Sequence, residues 1–184
     1  MDAKRVALIS TFTALAVALR LAKHAFVGPL QFINFPLLTA MIASYVGGSS
    51  VGAAVGALSF VASDFFIWLG PWTPINAVLA ASIGLLWGFA ARSVRSGITL
   101  FVFAYLSVFA YDLLSSVLGY LIYLPSAGSA LMLAIIGLFL PVGSGWLIGV
   151  GPITEFITAV LTAAAIEILR RALPQLATTR ATQL

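Results

Sequence analysis

Three carboxylates, Asp64, Asp112 and Glu155, stand inside segments apolar enough to cross a bilayer. An ionisable side chain at membrane depth is expensive and rarely faces lipid, so by default each marks a site or a pathway. Carboxylates so placed can accept hydrogen bonds, hold a cation or move a proton. Arg20 and Asn76 add a guanidinium and an amide in the same kind of setting. Covalent and metal chemistry is poorly provided for. The chain has no cysteine and one histidine, His24, which excludes thiol nucleophiles, disulfides, zinc sites and paired-histidine motifs. Its two lysines, Lys4 and Lys23, lie in no glycine-rich phosphate loop, so ATP is not bound that way. The sequence therefore predicts no catalytic residue, no metal ligand and no cofactor.

Of the 184 residues, 62% are hydrophobic and 8% charged, against about 25% charged in a soluble domain. This composition predicts an all-α membrane protein with one domain, residues 1–173, and a polar C-terminal tail, residues 174–184. A span needs about 20 apolar residues. Six segments qualify: Lys4–Ala22, Gln31–Val46, Val51–Leu69, Pro74–Arg92, Ile98–Leu121 and Leu147–Arg171. They are separated by Gly28-Pro29, Gly47-Gly48-Ser49-Ser50, Gly70-Pro71-Trp72-Thr73-Pro74, the stretch from Arg92 to Gly97, and Pro125, all of which carry turn chemistry. Pro74 and Pro152 fit in first turns, where the missing N–H costs little. Residues 127–140 are apolar but short for a span, which suits a re-entrant or interfacial segment before the sixth helix. Ala16-Val17-Ala18 resembles a signal-peptide cleavage pattern, yet the apolar run continues to Ala22, so the reading keeps the first helix.

Charge orients the helices. With six spans and both termini cytoplasmic, Lys4, Arg5, Arg92, Arg95, Arg170, Arg171 and Arg180 lie inside, while Arg20 and Lys23 lie outside. That bias obeys the positive-inside rule, and a seventh span would reverse it for the C-terminal arginines. The basic balance thus reflects topology and not nucleic-acid binding. At 1.5 Å per residue, Asp64, Asp112, Glu155, Asn76 and Arg20 stand about 20–24 Å above the cytoplasmic ends of five different helices. A polar level shared by five helices is what a pocket open to the outside needs. It is also what a structural set of interhelical hydrogen bonds and an Arg20–carboxylate pair would give.

Aromatic residues surround this level: Phe26, Phe32, Trp68, Trp72, Tyr105, Tyr120, Tyr123 and Trp146. Their faces can stack on flat heterocycles and attract cations, but interfacial belts use the same residues. Tyr123 and Trp146 fit a belt, and Trp68 and Trp72 fit either role. His24 is expected in a surface loop, and Tyr111 and Trp87 against lipid or neighbouring helices. Three stripes of small residues recur at every fourth position: Ser10, Ala14 and Ala18; Gly48, Gly52 and Gly56; Ala80, Gly84 and Gly88. Such stripes allow close backbone approach. The second and third read as internal packing. The first extends into the cytoplasmic half, where a partner can dock. Glu167 with Arg170 and Arg171 reads as a solvated helix end.

The stretch Gln31-Phe32-Ile33-Asn34-Phe35-Pro36 enters the second helix and places Asn34 among the candidate ligand-binding residues. It is followed by Gly47-Gly48, by Val51-Gly52-Ala53-Ala54-Val55-Gly56-Ala57-Leu58, by Asp64-Phe65-Phe66, by Gly70-Pro71-Trp72-Thr73-Pro74 and by Tyr111-Asp112-Leu113-Leu114-Ser115-Ser116. In order and spacing this series resembles the substrate-binding membrane subunit, the S component, of energy-coupling-factor vitamin importers, over residues 5–172. The Gly-Pro-Trp-Thr-Pro turn is most similar to the branch annotated for corrinoid uptake. That branch usually continues with Trp-Gln, where this chain has Ile75-Asn76. The resemblance implies a six-helix subunit in a prokaryotic plasma membrane that captures a water-soluble vitamin or related micronutrient from outside. It implies a transmembrane coupling subunit and two ATPase subunits as partners, with the Ala14–Ala18 stripe as the docking surface. It implies a pocket in the outer half, under the loop between the first two helices.

The expected ligand-binding residues are thus Asp64, Asn76, Asp112, Glu155, Trp68, Trp72, Arg20 and Asn34, and the expected docking residues Ser10, Ala14 and Ala18. Two other functions compete. A self-sufficient ion-coupled carrier would use one acid as its proton site, although the internal repeats common in carriers are not evident. An intramembrane enzyme would use an acid pair, but no nucleophile–base constellation accompanies the acids.

Overall fold

The computed structural model describes residues 2–28, 30–90, 93–94, 96–139 and 150–172. Among them are seven α-helices and no strand: α1 (Ala3–Val27), α2 (Phe35–Gly47), α3 (Ser49–Ile67), α4 (Trp72–Ala90), α5 (Gly97–Leu121), α6 (Ala127–Phe139) and α7 (Val150–Ala172). Five of them, α1, α3, α4, α5 and α7, are long and apolar enough to cross a membrane, and α2 and α6 are shorter apolar helices. Together they describe a helical, multi-pass membrane protein. The polar tail, Trp146, the start of the expected sixth helix at residues 147–149, and Arg92, Arg95 and Arg180 lie outside the described residues.

Local chemistry sets the helix starts. Asp2 accepts from the Lys4 N–H at 3.3 Å and caps α1. Asn34 accepts from the Leu37 N–H at 3.2 Å and caps α2, with Pro36 in the first turn. A side chain that satisfies an orphan N–H, followed by a fixed φ, defines a helix start. The second helix therefore begins at Phe35, four residues later than expected from Gln31. Gly48, at φ 92°, ends α2 and precedes α3 directly. That conformation is open to glycine and costly for other residues, so the chain reverses within a single residue.

The first helix runs to Val27, beyond the expected end at Ala22, and His24 lies exposed in its last turn and not in a loop. Lys23 explains the extension: its ammonium donates to the carbonyls of Leu30 at 3.0 Å and Gly28 at 3.4 Å, tying the connection back onto the helix. α4 starts at Trp72, two residues before the expected Pro74, because Thr73 closes the turn with its N–H to the Gly70 carbonyl at 3.0 Å.

α2 lies at the centre, against α1, α3, α4 and α7, and most of its side chains are buried. α3 packs most extensively on α4 through two glycine stripes. At Gly84 a Cβ would overlap the Gly52 carbonyl, and at Gly56 it would stand 2.6 Å from the Ala80 carbonyl oxygen. These two stripes are internal packing. Trp87 is fully buried, donates to Ser107 Oγ at 2.9 Å and stacks on Phe103, so it joins α4 to α5. Tyr111 is likewise buried, stacked on Phe60 with ring centroids 5.5 Å apart.

α6 packs chiefly on α5. Its C-terminal residues Gly137 and Leu138 border the same cavity as Ser115 and Ser116 near the end of α5 and Gly151 at the start of α7. α6 therefore ends at the end of the bundle where α5 finishes and α7 begins.

Candidate functional site

The cavity is about 330 Å³ and lies at that same end. Each wall is set by one helix. α1 supplies Arg20 and α3 supplies Phe60. Asn76 comes from the first turns of α4, and Tyr111 and Asp112 from α5. Ser115 and Ser116 follow Asp112 at helical spacings of three and four, which puts all three on one face. Thr154 of α7 and the Leu30-Gln31 segment complete it. The Thr154 hydroxyl donates to the Gln31 carbonyl, and the Asn34 N–H donates to Thr158 Oγ1 at 2.9 Å, so α7 holds the connection over the cavity.

The polar level divides into two parts. In the first, Arg20 Nη1 meets Asp64 Oδ1 at 2.6 Å, and Asp64 Oδ2 accepts from the Thr73 hydroxyl at 2.7 Å. Arg20 also donates to Ser63 Oγ and lies over the Phe60 ring, 4.9 Å from its centroid. Asp64 is 1% exposed, and both its oxygens are occupied. A buried carboxylate needs such partners.

The second part is Asp112 and Glu155. Asp112 borders the cavity, and among the described residues no donor bonds its carboxylate. Glu155 is 1% exposed; its carboxyl accepts a hydrogen bond from the Tyr105 hydroxyl, while its Oε1 has no hydrogen-bond partner. It stands four residues after Gly151, which borders the cavity.

Of the expected ligand-binding residues, Arg20, Asn76 and Asp112 line the cavity. Asp64 is paired with Arg20, and Glu155, next to Thr154 in α7, is buried and not among the lining residues. Trp68 and Trp72 meet edge to face with centroids 6.3 Å apart, but they point outward, Trp68 being 73% exposed. Asn34 is buried at the start of α2, where its oxygen serves as the cap. Sequence reasoning did not single out Phe60, Gln31, Thr154 or the Ser115-Ser116 pair as lining residues. The signal for the serines was their spacing from Asp112; for Thr154 it was adjacency to Glu155. Tyr111, expected against lipid or a neighbouring helix, both packs on Phe60 and borders the cavity.

A second concavity, about 630 Å³ and mostly apolar, runs between α1 and α3 on the outside of the bundle. Ser10, Ala14 and Ala18 are exposed along it, facing Leu58, Val61 and Ala62. Among the described residues no three His, Cys, Asp or Glu side chains are gathered to hold a metal ion. Comparison with protein-family models, with curated proteins and with solved structures gives no match.

Proposed function

We propose that this protein is the substrate-capture subunit of an energy-coupling-factor importer for a water-soluble vitamin or related micronutrient. The observation that carries the reading is the cavity: Arg20, Asn76 and Asp112 from three helices meet at one end of the bundle, under the α1–α2 connection. That is the arrangement expected from the order of motifs along residues 31–116. Its volume of about 330 Å³ falls at the lower end of small-molecule sites, which suits a small vitamin or a precursor better than a whole corrinoid. The exposed Ser10–Ala14–Ala18 stripe supports docking of a transmembrane coupling subunit bearing two ATPases, because small side chains let a partner helix approach closely.

In this reading α1, α2, α3, α4, α5 and α7 are the six spans, both termini are cytoplasmic and the protein resides in a prokaryotic plasma membrane. Binding and relocation, not covalent chemistry, deliver the cargo.

Asp112, which no donor bonds among the described residues, and the buried Glu155 favour a second reading, an ion-coupled carrier in which one of them takes a proton. One experiment separates the two. Mass spectrometry of small molecules retained by the purified protein identifies the cargo. Uptake of that cargo is then measured in vesicles holding this chain alone and in vesicles with an ATPase module. Uptake that requires ATP hydrolysis supports the importer subunit. Uptake by the chain alone, driven by a proton gradient, replaces it with the carrier.

A further inference from the structure

The charges around the cavity do not balance. Arg20 is the cation on its wall, and it is spent on Asp64, whose second oxygen is taken by Thr73. Lys23, the next cation along α1, is engaged by the carbonyls of Leu30 and Gly28. Asp112 and Glu155 remain, one at the wall and one buried next to the wall residue Thr154. They stand on α5 and α7, which pack against each other. The first faces open space without a donor among the described residues; the second is buried with one oxygen unpartnered. Among the described residues neither carboxyl group forms an ion pair that would offset its burial, and Glu155 has one donor, the Tyr105 hydroxyl.

The rest of the wall indicates what form an offsetting charge takes. The cavity holds far more than a bare ion, and the described residues offer no metal-ligand set. Beside Asp112, Tyr111 and Phe60, stacked on each other and nearly buried, border the cavity with apolar ring surface. Ser115, Ser116 and Asn76 provide neutral hydrogen-bonding groups. An acid next to apolar ring surface and neutral hydrogen-bonding groups is a setting that attracts an organic cation by charge and accommodates its apolar body.

We propose that the cargo is a small organic cation, an amine or a positively charged heterocycle. Its charged centre sits against Asp112, with Glu155 on the adjoining helix α7, and its body lies along Tyr111 and Phe60. The inference rests on the cavity being the cargo site of the proposed transporter.

The test uses three probes of similar size and different charge: benzylammonium, benzyl alcohol and benzoate. Binding to the purified full-length protein in an uncharged detergent is measured by calorimetry. The cation should bind at least about tenfold more tightly than either of the others. Asp112→Asn should weaken the cation by roughly tenfold or more and leave benzyl alcohol unchanged, and Asp112→Glu should restore most of the loss. Glu155→Gln, which also removes one charge at constant size, reads the same electrostatics should Asp112→Asn fail to fold. Benzoate or benzyl alcohol binding as tightly as the cation overturns the proposal. So does a cation that binds the folded Asp112→Asn or Glu155→Gln protein as it binds the parent, or that does not bind at millimolar concentration. The transport assay fails separately: cation selectivity with ATPase-independent uptake keeps this inference and removes the importer reading, whereas ATPase-dependent uptake of an anionic cargo does the reverse.

Discussion

Arg20 of α1 and Asp64 of α3 meet at 2.6 Å at the same level as Asp112 and Glu155. This pair joins α1, whose helix is otherwise largely exposed, to the buried face of α3. It also removes one acid and one cation from the chemistry available to a ligand. Removing Arg20 alone strands a carboxylate that is 1% exposed. Breaking a buried pair from one side typically costs about 3–5 kcal/mol. The lower end applies here, because the Arg20 side chain is 20% exposed. Arg20→Ala should therefore lower the unfolding midpoint in detergent markedly. The double variant Arg20→Ala with Asp64→Asn should recover part of the loss. A double variant as unstable as the sum of the two single changes would show that the two groups are not coupled.

The α3–α4 contact gives a prediction with its own control. At Gly84 a side chain would collide with the Gly52 backbone, which cannot move without shifting a helix. Overpacking of this kind costs about 1–3 kcal/mol. Gly84→Ala should destabilise the protein and Gly84→Leu should prevent folding. Gly119, near the end of α5, has open space where its Cβ would go. Gly119→Ala should be neutral or stabilising by about 0.5–1 kcal/mol, since glycine weakens a helix interior. Equal midpoints for Gly84→Ala and Gly119→Ala, read by thermal unfolding, would contradict the packing.

Depth along a helix was legible in the sequence, and direction around it was not. Counting 1.5 Å per residue put Arg20, Asn76 and Asp112 at one level, and the three do border one cavity. The same arithmetic put Trp68 and Trp72 nearby, yet they face outward. A helix that is apolar on all sides carries no phase to say which face is buried. Asn34 shows another limit: a polar side chain at a helix start can be a cap or a ligand contact, and here its oxygen caps α2. The breaks at Gly28 and Gly48 were legible because both residues adopt positive φ. The extension of α1 through His24 was not, because polar residues in a last helical turn read as loop. An Arg20–carboxylate pair, with the acid left open, belonged to one of two alternatives for the polar level. Only the geometry divides that level into a paired part and an unpaired part.

Orientation can be measured without function. In the proposed orientation both termini are inside and seven of the nine basic residues are cytoplasmic. A cysteine introduced at Ala177 has no competing thiol in the chain. It should resist an impermeant thiol reagent in intact cells and react after permeabilisation. A cysteine at His24, exposed at the opposite end of α1, should react in intact cells. Labelling of Ala177→Cys from outside would place the C-terminus on the other side and require an odd number of spans.

The α1 groove separates docking from binding. Ala14 and Ala18 are exposed beside Leu58 and Val61, in a groove that shares no lining residue with the cavity. A bulky residue at Ala14 has room on the isolated protein but would hold a partner helix away, since close approach depends on small side chains. Ala14→Trp should therefore leave cargo binding by the purified chain within about twofold of the parent, a difference well under 1 kcal/mol, while uptake falls to background. Ala14→Ser, which stays small, should keep both. Parallel loss of binding and uptake in Ala14→Trp would mean that the stripe supports the α1–α3 packing instead. Full uptake in Ala14→Trp would mean that no helix docks along this groove during transport.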